Sequence, residues 1–94
     1  MRWSGKLYKI EYHKKAIKDI TKLKDNKLDN KARKLIDVLK LNPFQIPPPY
    51  EKLVGELKGY YSRRINIQHR LIYKVEESRK VVQIISLWSR YENV

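Results

Sequence analysis

The 94-residue sequence predicts an α+β domain: one strand, two helices, then a meander of strands, with both helices packed on one face of an antiparallel sheet. Three observations predict it. Lys6-Leu7-Tyr8-Lys9-Ile10-Glu11-Tyr12 alternates, with Tyr8, Ile10 and Tyr12 on one side, which is the period of a half-buried strand. Ala16, Ile17, Ile20 and Leu23, and then Leu28, Ala32, Leu35, Ile36 and Leu39, recur at three- and four-residue steps among polar residues, the pattern of amphipathic helices. Beyond Gly59, the runs Tyr60 to Asn66, His69 to Val75 and Val81 to Tyr91 read as strands. The gaps between them, Ile67-Gln68 and Glu76 to Lys80, are of hairpin length.

The first helix ends near the turn-like Lys24-Asp25-Asn26, and the second follows at once, so the two form a hairpin. Asn42-Pro43 stops the second helix, because a residue before proline is pushed out of the helical region. Phe44 to Tyr50 contains Pro47, Pro48 and Pro49, which lack amide donors, and reads as a stiff connector. Glu51 to Gly59 is either a loop or a single helical turn. The chain shows no internal repeat and no second domain. Residues 1–94 are expected to form one domain, with 1–5 an N-terminal extension and 92–94 a C-terminal tail.

Composition excludes several classes. Without Cys there is no disulfide framework, zinc ribbon or thiol nucleophile, and two distant His residues give no recognised metal-ligand spacing. Neither a metal nor another cofactor is expected. With only Gly5, Gly55 and Gly59, no glycine-rich phosphate loop is available. The most apolar run, Val81 to Trp88, is far shorter than the roughly 20 residues of a membrane-spanning helix. The first residues carry positive charge with no apolar region behind it, unlike a secretory signal. A cytoplasmic protein with no membrane association is the expectation.

Charge gives the first functional indication. The chain carries 22 Lys and Arg against 10 Asp and Glu, a net charge of +12. Lysine dominates the part before Glu51, whereas five of the seven arginines (Arg63, Arg64, Arg70, Arg79 and Arg90) follow it. Lysine is a hydrated point charge; arginine offers a planar fork that matches phosphate. The lysines therefore suggest a general attraction to a polyanion, and the arginines a more specific phosphate-binding locus. Most single lysines are adequately explained as a solvated helix surface, but that does not explain the arginine clustering.

Gly59 to Val75 reads GYYSRRINIQHRLIYKV. This stretch resembles the YoeB/Txe toxins of the RelE superfamily, whose most specific signature is Ser-Arg-Arg-Ile followed after a short spacer by Arg-Leu-Val/Ile-Tyr. Ser62 to Tyr73 matches it closely. Asn42-Pro43-Phe44 resembles the family's loop entry after the second helix, Glu51 and Leu53 fall on its Glu-x-Leu, and Leu57-Lys58-Gly59 leads into the first meander strand. The resemblance implies a RelE-like fold and a type II toxin, a ribosome-dependent endoribonuclease that cuts mRNA in the A site. It also implies an acidic cognate antitoxin of the YefM/Axe kind, and a homodimer is possible because some members form one.

Carried over residue by residue, the family's catalytic Glu falls on Glu51, its catalytic Arg on Arg70 and its C-terminal Tyr on Tyr91. Where the family usually has a His, proposed as general acid, this sequence has Arg90. Arg63, Arg64, Lys52 and Lys58 are the further cations expected to contact RNA. Metal-free RNA cleavage needs a base for the 2′-OH, cations for the phosphorane charge and help for the departing 5′-oxygen. Glu51 suits the first role, Arg70 the second, and Tyr91 suits base stacking or phosphate orientation. Arg90 is a poor proton donor and better suited to stabilising charge on the leaving oxygen. His69 adjoins Arg70 but, in an extended strand, points to the opposite face.

Simpler roles compete for single residues. Neighbouring Arg63 and Arg64 should split between faces, leaving one as a surface or interface cation. Tyr60, Tyr61, Tyr73 and Trp88 suit packing better than base stacking, and Trp3 is a candidate oligomer contact. Two alternative functions stay open: a non-catalytic inhibitor of the same fold acting on gyrase, as ParE-like relatives do, and a general RNA-binding protein held by charge alone.

Overall fold

Both helices form where the apolar spacing places them. The computed structural model of the chain describes residues 7–90, and the expectations for Trp3, Tyr91, the extension 1–5 and the tail 92–94 lie outside them. Strand β1 (Lys9–Tyr12) leads directly into α1 (Lys14–Asp25) and α2 (Asp29–Leu41). Lys22 and Lys24 in the last turn of α1 complement the negative end of its dipole. Between the helices, the Leu28 N–H donates to the Leu23 carbonyl at 2.8 Å, and Lys27 takes the left-handed conformation at φ 57°. After α2, the Asn42 side-chain oxygen accepts the Phe44 N–H at 2.9 Å, a local turn bond that confirms the stop at Asn42-Pro43.

The remaining strands are β2 (Glu51–Lys52), β3 (Tyr60–Arg64), β4 (Arg70–Glu76) and β5 (Val81–Ser89). They form one sheet in the order β1-β5-β4-β3-β2. Two features depart from expectation. The ambiguous segment 51–59 contains both a two-residue edge strand, β2, and a single 3-10 turn at Gly55–Leu57. Moreover, β1 runs parallel to β5, Lys9 facing Val81 and Tyr12 facing Ile84, so the sheet is mixed rather than wholly antiparallel. Alternation within a strand reports its buried face but carries no information about the direction of its neighbour.

Ala16, Leu23, Ala32, Ile36 and Leu39 from the helices meet Leu71, Tyr73, Val82, Ile84 and Leu87 from the sheet. Burying a side chain of Leu or Val size contributes about 1.5–3 kcal/mol, so this layer is the main source of stability. One polar residue enters it. Asp19, 1% exposed, accepts the backbone N–H of Leu87 at 2.9 Å and pairs with Lys15 at 3.3 Å. The register between β4 and β5 shifts at this point, from Arg70 opposite Ser89 to Ile72 opposite Ser86. A bulge leaves an N–H without a ladder partner, and Asp19 supplies one.

The β3–β4 turn is built by Asn66. Its side-chain oxygen accepts the N–H groups of Gln68 at 2.9 Å and His69 at 2.7 Å, while the Ile65 N–H closes on the His69 carbonyl at 2.9 Å. The hairpin thereby fixes where Arg64 and Arg70 emerge.

Candidate active site

Residues opposite each other in a ladder share a face of the sheet. Glu51 pairs with Ser62, Ser62 with Ile72, Arg64 with Arg70, and Arg70 with Ser89. Leu71 and Tyr73 of β4 lie in the helix-side core, so this series occupies the opposite, open face. Three strands therefore bring Glu51, Ser62, Arg64 and Arg70 together from separate parts of the sequence. They line a cleft of about 200 Å³ with Pro49 and Tyr50.

Within the cleft, Arg70 Nη1 donates to Glu51 Oε1 at 3.0 Å and approaches Ser62 Oγ at 3.5 Å. Arg64 is exposed and has no ion pair among the described residues. Like charges directly opposite on a ladder repel, and a single carboxylate offsets only one of the two guanidinium groups. An added anion, such as a phosphodiester, relieves that imbalance and can be gripped by two planar forks.

Arg63 requires correction. Expected among the cations contacting RNA, it is 0% exposed on the helix side of β3, with Nη1 donating to the Pro48 carbonyl at 2.6 Å and Nη2 to those of Pro43 at 2.9 Å and Gln45 at 3.0 Å. The aromatic faces of Tyr50 and Tyr73 lie 5.1 and 5.9 Å from its guanidinium carbon. Its two Nη groups are engaged by protein carbonyls, while its buried Nε–H has no partner among the described residues. The Arg63–Arg64 split by face is as expected, but the inward member is buried rather than a surface cation.

Lys52 and Lys58 are not brought to the cleft. Lys52 pairs with Tyr61 and so faces away from Glu51; with Lys58 it lines a separate hollow of about 500 Å³ that includes Leu53, Val54 and Tyr60. Arg90, exposed, follows Ser89 at the end of β5, close enough to His69 for its charge to be felt there. Tyr91 lies outside the described residues.

His69 does point away from Arg70, as strand alternation requires. It is 8% exposed and stacks on Trp88 with ring centroids 3.8 Å apart and planes 18° apart. Burial, and secondarily the charge of Arg90, lower its pKa below the usual 6.5, which favours the neutral ring. Tyr61 and Tyr73 also pack, in a cluster with Phe44 and Tyr50 at centroid distances of 5.3 to 5.9 Å. Burial raises the Tyr73 pKa to about 12, keeping its hydroxyl as a donor to the Pro43 carbonyl at 2.7 Å. Among the described residues, no group of three His, Asp or Glu is placed to hold a metal.

Sequence reasoning gave no role to Ser62, Pro49 or Tyr50. For Ser62 a signal existed, since it stands two residues before Arg64 and must share its face.

The family model of YoeB-like toxins of bacterial type II toxin-antitoxin systems matches residues 11–91. The chain belongs to this YoeB family. Toxin YoeB of Streptomyces coelicolor is 38% identical over 58 residues, covering 62% of this chain and 69% of that protein. Toxin RelK of Mycobacterium tuberculosis is 36% identical over 67 residues, covering 71% and 74%. Among solved structures, the YoeB/ParE toxin from Agrobacterium tumefaciens superposes with a TM-score of 0.80 at 29% identity, covering 88% of this chain and 99% of that one. The YoeB-YefM complex from Staphylococcus aureus gives 0.75 at 32% identity, covering 89% and 98%. This YoeB-family chain therefore has the α+β fold of the RelE superfamily that its sequence suggested, and it is a toxin of the type II toxin-antitoxin class.

Proposed function

We propose that this YoeB-family toxin is a metal-independent endoribonuclease that cuts mRNA in the ribosomal A site. The observation that carries the reading is the open-face cleft in which one carboxylate, Glu51, lies 3.0 Å from the Arg70 guanidinium while Arg64 adds a second cation. Arg70 orients the Glu51 carboxylate in the resting cleft. When the scissile phosphate enters, Arg70 and Arg64 transfer their forks to its non-bridging oxygens. Glu51 is then free to accept the proton of the adjacent 2′-OH. The 2′-oxygen attacks phosphorus, the bond to the 5′-oxygen breaks, and the products are a 2′,3′-cyclic phosphate and a 5′-hydroxyl that takes up a proton.

Arg90 stabilises developing charge on the leaving oxygen without donating the proton, and Tyr91 orients or stacks on the RNA, a role that rests on the family resemblance alone. The net charge of +12 supports an acidic antitoxin as partner, as does the likeness to a YoeB-YefM complex; likeness to the Staphylococcus aureus YoeB dimer supports a homodimer. Its site of action is the cytoplasm, where ribosomes are.

Primer extension on a defined mRNA in reconstituted translation tests the proposal. Cuts appearing only with ribosomes, at a fixed place in the A-site codon, and disappearing in Glu51→Gln, are the expected result. Equal cutting of free RNA, or none in either condition, overturns it; inhibition of gyrase supercoiling by an uncut-RNA sample would support the ParE-like alternative.

A further inference from the structure

Arg63 is the only Lys or Arg among the described residues to be buried, and no carboxylate pairs with it. A buried cation is costly unless its donors are satisfied. Three carbonyls, from Pro43, Gln45 and Pro48, all in the connector after α2, accept from its two Nη groups, and only the Nε–H is left without a partner among the described residues. The arrangement serves the connector equally. Pro43, Pro47, Pro48 and Pro49 have no N–H, so this segment is poor in donors with which to satisfy its own carbonyls. The guanidinium brings donors in a rigid fork that lysine cannot reproduce. Tyr73 adds one more donor to the Pro43 carbonyl.

Glu51 follows the gathered Pro48 by three residues. Its other anchor is β2, an edge strand of two residues. Arg63 itself stands on β3 between Ser62 and Arg64, whose side chains face the cleft. One strand thus presents cleft groups on its open face and, on its other face, holds the loop that delivers Glu51.

We propose that Arg63 is a positioning residue of the toxin: by gathering the carbonyls of Pro43, Gln45 and Pro48 it sets Glu51 opposite Arg70, and so governs the cleavage rate without touching RNA. The proposal rests on the reading of Glu51 as the base.

The test is single-turnover cleavage on mRNA-programmed ribosomes by Arg63→Lys, Tyr73→Phe, Glu51→Asp and the double variants of each with Glu51→Asp. Thermal unfolding of every variant is followed in parallel. Misplacement of a catalytic group predicts that Arg63→Lys lowers the saturating rate by about tenfold or more. The ribosome concentration at half-saturation should change by less than about threefold, because binding contacts are untouched. Tyr73→Phe, which removes one bond to the same loop, should give a smaller loss of the same kind, and it carries the test alone if Arg63→Lys does not fold. Losses with Glu51→Asp should depart from simple multiplication by more than about threefold, since both act on one carboxylate. A parental rate, a loss confined to half-saturation, or multiplicative losses overturn the proposal. Parental activity in Glu51→Gln is a separate result and sinks the assignment of Glu51 itself.

Discussion

Glu51 and Arg70 meet at 3.0 Å although their surroundings differ: the Arg70 side chain is 15% exposed against the sheet, whereas that of Glu51 is 59% exposed at the cleft mouth. A pair this open to water contributes only about 0–1 kcal/mol to stability. The arrangement is therefore poorly explained as a structural brace. A cation fixed against a strand with a carboxylate free to release it suits exchange of one anion for another.

Glu51→Gln and Arg70→Ala should separate activity from stability. Loss of a general base or of a cation on the phosphorane lowers the cleavage rate by about 10²–10⁴-fold. Because Glu51 is exposed, Glu51→Gln should leave the unfolding free energy within about 0.5 kcal/mol of the parent. Rate measurements on ribosomes beside urea unfolding check this, and a rate loss that tracks loss of fold would refute it.

Asp19 should behave in the opposite manner. Its carboxylate holds the buried Leu87 N–H at 2.9 Å where the β4–β5 register slips. Asp19→Ala leaves that donor unpaired, a cost of about 1–3 kcal/mol. Asp19→Asn keeps an acceptor and should cost less, since the partner Lys15 is well exposed and adds little. Denaturant midpoints of the two variants decide it; equal losses would show that charge rather than the hydrogen bond matters.

The sequence carried the helices plainly, because four apolar positions at helical spacing in α2, with Leu28 at its N-cap, and four in α1 cannot be confused with alternation. It also placed His69 behind Arg70, since alternation alone decides that. Strand β2 was not legible: two residues carry no period, and only pairing with Ser62 and Tyr61 makes Glu51–Lys52 a strand. Arg63 and Arg64 are chemically alike, and alternation separates them without saying which turns inward. The deciding fact is the donor-poor proline loop 20 residues away in sequence at Pro43. Asp19 had a trace in the sequence, standing between Ala16, Ile20 and Leu23 on the apolar stripe.

His69 makes stability depend on pH. Its folded pKa lies below 6.5, the unfolded value, so below that pH the unfolded chain binds more protons than the folded one. The contribution is complete above about pH 6.5 and is lost as pH falls from there through the lower folded value. Urea midpoints should therefore decline in acid over this range. His69→Phe keeps an aromatic ring on Trp88 and removes the titration, so its decline should be shallower; an unchanged slope would assign the effect to other groups.

Arg64, exposed in the cleft and opposite Arg70, should reveal itself through salt. A guanidinium that binds a phosphate releases counterions, so each such contact contributes about 0.7 to the slope of log K against log salt on a single strand. Binding of an all-2′-deoxy oligonucleotide, which lacks the attacking hydroxyl and stays intact, isolates this step from cleavage. Arg64→Ala should weaken binding whatever the base sequence and reduce the slope by about one contact. Lys52→Ala, on the other face of the sheet from Glu51, should change the slope much less. Equal effects of the two substitutions would mean that the oligonucleotide is held by diffuse charge rather than by the cleft.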